Sequence, residues 1–198
     1  MDGKYSYSIS RSESTPIRRT IDLFHRRWSV PVIARLYAEG ALTLGGLSTR
    51  LPAGRSTLAE TLATLEQSGA LVRGTGDRRM LYRLTEVGAA LGAACVEMTR
   101  VIPNDEVLNV ALKKWPMLVV TLIGRGSARF NELEAGLPGI TSRALALSLK
   151  DLEAARMITR ELKAGYPPTT IYALTPLMEA MFPALDALCA AAEATAAI

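Results

Sequence analysis

Arg55-Ser56-Thr57, with Glu60 and Thr61 one turn further on, and Ser142-Arg143, with Ser148 further along, are the residues whose types and spacing suit recognition chemistry. Each set offers hydroxyls and a guanidinium from adjacent turns of an expected helix. Hydroxyls both donate and accept hydrogen bonds, and a guanidinium forms a bidentate pair with guanine, so the combination suits the base edges of duplex DNA in the major groove. Ser and Thr are also favoured at any helix N-terminus, so this reading depends on context. A second set, Arg73, Arg78, Arg79, Arg129, Arg160 and Lys163, is of the kind that neutralises phosphates. Such contacts add affinity and salt dependence without reading sequence directly.

Other chemistry is thinly supplied. His25 is the single histidine, which excludes two-histidine zinc motifs, and its Arg-rich flanks suggest a helix surface. Neither Gly74-Thr75-Gly76 nor Gly124-Arg125-Gly126 extends into a dinucleotide or phosphate-binding loop. Cys95 and Cys189 lie in Ala-rich helical surroundings and read as inert core thiols rather than a disulfide framework. No cofactor, metal site or enzymatic activity is therefore expected.

The apolar fraction, 49% against 21% charged, is enough to build a packed core, and its Ala and Leu favour helix. The longest uncharged stretch, Ala164 to Met178, contains three prolines and is too short for a span, and Met1 to Ser14 lacks the apolar core of a signal peptide. No membrane association is expected, and the cytoplasm is the expected location.

Internal self-similarity is the strongest pattern. Arg27-Trp28 recurs as Lys114-Trp115, and Leu58, Leu62, Leu65-Glu66 as Leu145, Leu149, Leu152-Glu153, both at a spacing of 87 residues. Leu47 with Leu51-Pro52 recurs as Leu133 with Leu137-Pro138 at 86, and Tyr82-x-Leu84-Thr85 as Tyr172-x-Leu174-Thr175 at 90. Four matches in order read as a tandem duplication.

Within each copy the pattern predicts a helix before the tryptophan, Ile17 to Arg27 and Asp105 to Lys114, and a second starting at the tryptophan and stopping at glycine. A short helix follows (Thr43 to Arg50, Phe130 to Ala135), then a longer one (Arg55 to Gln67, Thr141 to Ala155) whose leucines share one face. A hairpin comes next. In the first copy it joins Ala70–Arg73 to Arg79–Leu84 through Gly74-Thr-Gly-Asp77; in the second it joins Met157–Arg160 to Thr169–Leu174. Each copy closes with a helix, Thr85 to Arg100 and Pro176 to Ala196. The expected fold is mainly α with small β-hairpins: two tandem winged helix-turn-helix domains, residues 1–101 and 102–198, packed as a pseudo-dimer.

The second copy resembles the HxlR-type family of bacterial winged-helix regulators. The residues that carry the resemblance are Lys114-Trp115, Arg129-Phe-Asn-Glu-Leu133, Leu137-Pro-Gly-Ile140, Leu149-x-x-Leu152-Glu153, Pro167-Pro168 and Tyr172-x-Leu174-Thr175. The first copy is a more diverged version. The resemblance implies a homodimer-like arrangement within one chain, held by first and last helices. Family members often carry a sensing Cys-Pro, but Thr15-Pro16 and Ile102-Pro103 stand thirteen residues before the tryptophans. A cysteine switch is not expected here.

Charge follows the same reading. Residues 41–83 hold six Arg against three acids, whereas residues 173–198 hold three acids and no base. Basic groups thus collect on the helix-turn-helix and hairpin segments, with Arg73, Arg78 and Arg79 the clearest cluster. The expected function is sequence-specific binding of double-stranded DNA at an imperfect inverted repeat, by a monomer that mimics a family homodimer. The transcription machinery and a small-molecule effector are further candidate partners. The alternative is a winged-helix protein-interaction module whose DNA binding is lost or secondary. Leu147, off the leucine stripe, fits either a thymine methyl contact or a protein interface.

Overall fold

The computed structural model describes residues 23–24, 26–76, 79–102, 104, 107, 110–166 and 168–195, apart from the Lys114 side chain. His25, Arg78, Thr15-Pro16, Pro103 and much of the two helices expected before the tryptophans lie outside the described residues.

The first half contains α1 (Ser29–Glu39), α2 (Leu44–Ser48), α3 (Arg55–Gln67), β1 (Leu71–Gly76), β2 (Arg79–Leu84) and α4 (Glu86–Val101). The second contains α5 (Lys114–Gly124), α6 (Phe130–Ala135), α7 (Ser142–Ala154), β3 (Ile158–Lys163), β4 (Thr169–Leu174) and α8 (Pro176–Ala194). The order helix, short helix, longer helix, antiparallel hairpin, helix thus occurs twice among the described residues. Among them no helix is long and apolar enough to cross a membrane.

The leucines step by four and three residues along α3 and α7, and all six are buried. In the first half α3 turns that stripe onto α1, α2 and β1. Both helices then end in the same way. Gly69 has φ 75°, with its N–H bonded to the Glu66 carbonyl at 3.0 Å and that of Ala70 to Leu65 at 2.9 Å. Arg156 has φ 54°, with its N–H bonded to Glu153 at 3.0 Å and that of Met157 to Leu152 at 2.9 Å. This pair of bonds closes a helix through a left-handed residue, a conformation glycine adopts without steric cost and arginine does not.

A threonine then locks each hairpin to that turn. Thr85 donates its N–H to the Ala70 carbonyl at 3.1 Å and its hydroxyl to Gly69, and its oxygen accepts from the Gly88 N–H to cap α4. Thr175 makes the same set with Met157 and Arg156, and caps α8 through Met178.

The hairpins extend further than the sequence suggests. β1 continues through the glycines to Gly76, which pairs with Arg79, and β3 continues to Lys163, paired with Thr169. The six-residue partner strands keep offering backbone groups, so the ladders continue. A further strand-like contact also joins each hairpin: Leu42 and Tyr82 exchange backbone bonds of 3.1 and 2.8 Å, and Tyr172 donates to Ala128 at 2.8 Å.

α4 packs against α1 on one side and α8 on the other, so the last helices of the two halves touch. Cys95 and Cys189 are buried in these helices. Burial pushes the Cys189 thiol up to about 11 and Cys95 further still, so neither is a thiolate at neutral pH.

Each half has one tight aromatic–glycine contact between its tryptophan helix and its last helix, with the roles exchanged. A Cβ on Gly92 of α4 would fall inside the Tyr37 ring of α1. A Cβ on Gly124 of α5 would fall inside the Phe182 ring of α8. Tyr37 and Gly124 are 87 residues apart and Gly92 and Phe182 are 90 apart, matching the spacings of their surroundings.

Two stability outcomes follow from these contacts. Gly92→Ala should cost about 1–3 kcal/mol by overpacking, partly recovered in the double variant with Tyr37→Ala, as read by denaturant unfolding. Arg156→Gly should gain up to about 1 kcal/mol by relieving the left-handed conformation, whereas Gly69→Arg should lose a similar amount.

Candidate nucleic-acid interface

The leucine stripe sets which residues of α3 and α7 face solvent. In the first half α2 is capped by the Thr43 hydroxyl, which accepts from the Gly46 N–H at 2.9 Å, and buries Leu47. The chain turns through Leu51-Pro52-Ala53-Gly54, and α3 begins on the extended Gly54. Arg55, Ser56 and Thr57 are all exposed in its first turn, and the Arg55 guanidinium has no acidic partner among the described residues. These three groups share a short, polar, accessible helix end.

Thr61 and Ser148 do not belong to that surface. Thr61 is 0% exposed and its hydroxyl donates to the Thr57 carbonyl at 2.8 Å. Ser148 is 6% exposed and its hydroxyl donates to the Ala144 carbonyl at 2.8 Å. Each is rotated onto the leucine side, and bonding back along the helix satisfies its buried oxygen. Neither side chain is available to a base edge.

Of the expected pair one turn into α3, only Glu60 is exposed, and it is held by the Arg26 guanidinium at 2.9 Å, while Arg26 Nε also donates to the Thr64 hydroxyl at 2.9 Å. Arg26 was not among the expected site residues. Its separation from Glu60 in sequence leaves no local pattern to reveal the pair.

The head of α7 is differently equipped. Thr141 caps it by accepting from the Ala144 N–H at 3.2 Å. Ser142 is exposed, but its hydroxyl donates to the Glu134 carboxylate of α6. Arg143 is exposed, without an ion-pair partner among the described residues. Further along, Leu147 is 54% exposed where α3 carries Glu60, and Lys150 is exposed beyond it.

The hairpin register separates the expected arginine cluster. Directly paired residues of antiparallel strands share a face, and Arg73 pairs with Tyr82 whereas Gly76 pairs with Arg79. Arg73 and Arg79 therefore lie on opposite faces, and Arg83 shares the face of Arg79. Arg73 is moreover held by Glu66 at 2.8 Å. Arg79 and Arg83 are exposed and have no acidic partner among the described residues. In the second hairpin Arg160 and Lys163 are both exposed and have no ion-pair partner among the described residues; they lie on opposite faces, with Leu162 69% exposed between them.

Arg129 immediately precedes α6. Its N–H and that of Ala128 both donate to the Glu132 carboxylate at 2.9 Å, and its guanidinium lies 4.0 Å from the same group. Those backbone donors hold the Glu132 carboxyl below the ordinary glutamate value. Arg129 remains largely exposed. Among the described residues no cluster of three His, Cys, Asp or Glu is placed to hold a metal ion.

Comparison with known proteins gives a consistent set of relatives. The family model for an HxlR-like helix-turn-helix matches residues 110–197, the span containing α5 to α8. The chain is 40% identical over 76 residues to an HTH-type transcriptional regulator of Methanothermobacter thermautotrophicus, covering 38% of this chain and 58% of that protein. It is 33% identical over 81 residues to the HTH-type transcriptional regulator YvaP of Bacillus subtilis, covering 41% of this chain and 75% of that one. A solved structure from Porphyromonas gingivalis W83, described as a MarR-family transcriptional regulator, is 32% identical, with a TM-score of 0.39 over 43% of this chain and 83% of its own.

The cap of α6 has a pH signature. Its folded-state carboxyl is depressed, so its contribution is present above the unfolded value, near 4.5, and is lost as pH falls through the folded one. An NMR titration should find Glu132 titrating below that ordinary value. Loss of amide protection at Ala128 and Arg129 should follow the same curve and be abolished in Glu132→Ala.

Proposed function

Since the chain belongs to the HxlR-like helix-turn-helix family of transcriptional regulators, we propose that it is a sequence-specific double-stranded DNA-binding regulator, acting in the cytoplasm, with two winged helix-turn-helix domains in one chain. The observation that carries the reading is the first turn of α3, where Arg55, Ser56 and Thr57 stand together, exposed, opposite the buried leucines. A helix of this kind fits the major groove, where an arginine pairs with guanine and hydroxyls complete the readout.

The proposed domains are residues 1–101 and 102–198, a duplicated pair of which the first is the diverged copy. Support comes from the recurring element order, the matched closing turns after α3 and α7, and the matched Thr85 and Thr175 contacts. The contact of α4 with α8 supports a pseudo-dimer, one chain doing the work of two subunits.

The two domains divide the task. Arg55, Ser56 and Thr57 read bases, while Arg143 makes one base or phosphate contact beside a Ser142 engaged by Glu134. Arg79, Arg129, Arg160 and Lys163 hold phosphates, and Arg73 joins them only by giving up Glu66. Arg78 completes the first wing in this reading. The target is accordingly an imperfect inverted repeat with one strongly read half-site.

A second reading has its own support. Leu147 on α7, Leu162 on β3 and the fully exposed Tyr166 in the second hairpin are large apolar side chains left open to solvent. In that version this domain binds another protein, such as a component of the transcription machinery, and DNA binding is secondary.

Selection of bound duplexes from a random pool, followed by affinity across a salt series, separates the two. An enriched two-part motif with a steep salt slope is expected; no enrichment, with a stoichiometric protein partner recovered instead, would favour the interaction module. On the selected duplex, Arg55→Ala should cost about 1–3 kcal/mol and relax preference at one position. Arg160→Ala should weaken cognate and scrambled duplexes alike and reduce the salt slope by about 1. Equal losses on both duplexes for Arg55→Ala would remove it from base reading.

A further inference from the structure

The two halves differ in the space between the tryptophan helix and the last helix. In the second half that space is bridged. Arg125 of α5 reaches Asp186 of α8 at 2.7 Å and Glu193 at 3.6 Å, and the Thr121 hydroxyl meets the Cys189 sulfur at 3.5 Å. At the repeat spacings of 87 and 90 residues, the first-half counterparts of Arg125, Asp186 and Thr121 are Ala38, Val96 and Ala34. None of these can bridge. A cleft of about 380 Å³ opens there instead, walled by Trp28, Pro31, Ala34, Ala38, Leu51 and Val96. That volume and an apolar lining are those of a small-molecule site.

Among the described residues the rim carries a surplus of positive charge. Arg35 and Arg50 both line the cleft and share one carboxylate, Glu39, which Arg35 meets at 3.4 Å and Arg50 through its Nε. Two guanidiniums against one carboxylate leave one positive charge unmatched. Arg35 is the less constrained of the two, since Arg50 also donates to the Gly46 carbonyl at 3.0 Å. A guanidinium beside an apolar wall is suited to a ligand with an apolar body and a single carboxylate.

We propose that this cleft binds a small organic monocarboxylate, its apolar body against Trp28 and Ala38 and its carboxylate on Arg35 and Arg50, and that occupancy alters the affinity of the chain for DNA. The walls explain the coupling. They come from α1, from Leu51-Pro52 in the turn that leads into α3, from the end of α4, and from Ile102 and Asn104 beyond it. A ligand touching all four favours one spacing of α3 relative to the connection between the halves, and this differential contact shifts an equilibrium. The second step rests on the DNA-binding reading above; the binding site itself does not.

The test uses the full chain with benzoate, naphthoate and octanoate as probes and naphthamide as the neutral control. Indole N–H signals are followed by NMR, with Trp115→Phe assigning the pair. At least one carboxylate should move the Trp28 signal and leave that of Trp115 in place, binding about tenfold or more tighter than the amide. Arg35→Gln should weaken it, and Ala38→Arg with Val96→Asp, which installs the bridge found in the second half, should abolish it. Ala34→Leu offers a second filled cleft should that pair not fold, with circular dichroism and thermal unfolding checking each variant. No Trp28 response up to about 10 mM of any carboxylate, equal binding of naphthamide, or undiminished binding in a folded filled variant would overturn the site. Carboxylate binding that leaves duplex affinity unchanged would overturn the regulatory step alone. A chain that binds the carboxylate but enriches no duplex would sink the DNA-binding reading and leave the site standing.

Discussion

Leu58, Leu62 and Leu65 in α3, and Leu145, Leu149 and Leu152 in α7, fix the rotation of each helix about its own axis, and the site depends on that angle. Their burial turns Arg55, Ser56 and Thr57 outward at the head of α3, and Ser142 and Arg143 at the head of α7. The same rotation carries Thr61 and Ser148 inward. A helix face buried by three leucines contributes several kcal/mol, far more than a hydroxyl gains from a base, so packing decides where the hydroxyls point. The closing turns at Gly69 and Arg156 and the threonine contacts then fix where each hairpin leaves its helix.

From this shared frame the halves diverge through a few acidic residues. Glu60 and Glu66 engage Arg26 and Arg73 in the first half, and Glu134 engages Ser142 in the second. All are exposed or half-exposed contacts, individually weak and screened by salt. Such pairs open at modest cost, so they bias which cations are free on each half rather than fixing it. Among the described residues Arg55, Arg79, Arg83, Arg143, Arg160 and Lys163 need no such opening.

Much of the architecture was legible because it rests on periodicity. The leucine spacing, the glycine stops after α1 and α5, and the strand-forming runs on either side of a turn each bear on the local backbone, and among the described residues the element order emerged with ends displaced by only a few residues. What escaped depends on distances that linear sequence does not carry. Thr61 looked like a neighbour of Thr57 on the outer face, yet four residues are slightly more than one turn, enough to move it onto the packed side. Arg73 and Arg79 looked like one cluster until the register fixed them on opposite faces. The cleft beside Trp28 is visible only when Ala34, Ala38 and Val96 are set against the residues that close the corresponding space in the second half.

The exchanged aromatic–glycine contacts have a consequence for assembly. Tyr37 on α1 requires a partner helix with a glycine notch, which α4 has at Gly92 and α8 does not; Phe182 on α8 requires the notch at Gly124, which α1 lacks. A crosswise pairing of α1 with α8 would drive ring into ring, and α5 with α4 would leave two notches facing a void. The four helices therefore carry an addressing code in side-chain volume, with each tryptophan helix assigned to one last helix only. A symmetric dimer has no use for such an assignment, because its subunits are interchangeable. Here it lets the two halves remain different while keeping each helix in its own half.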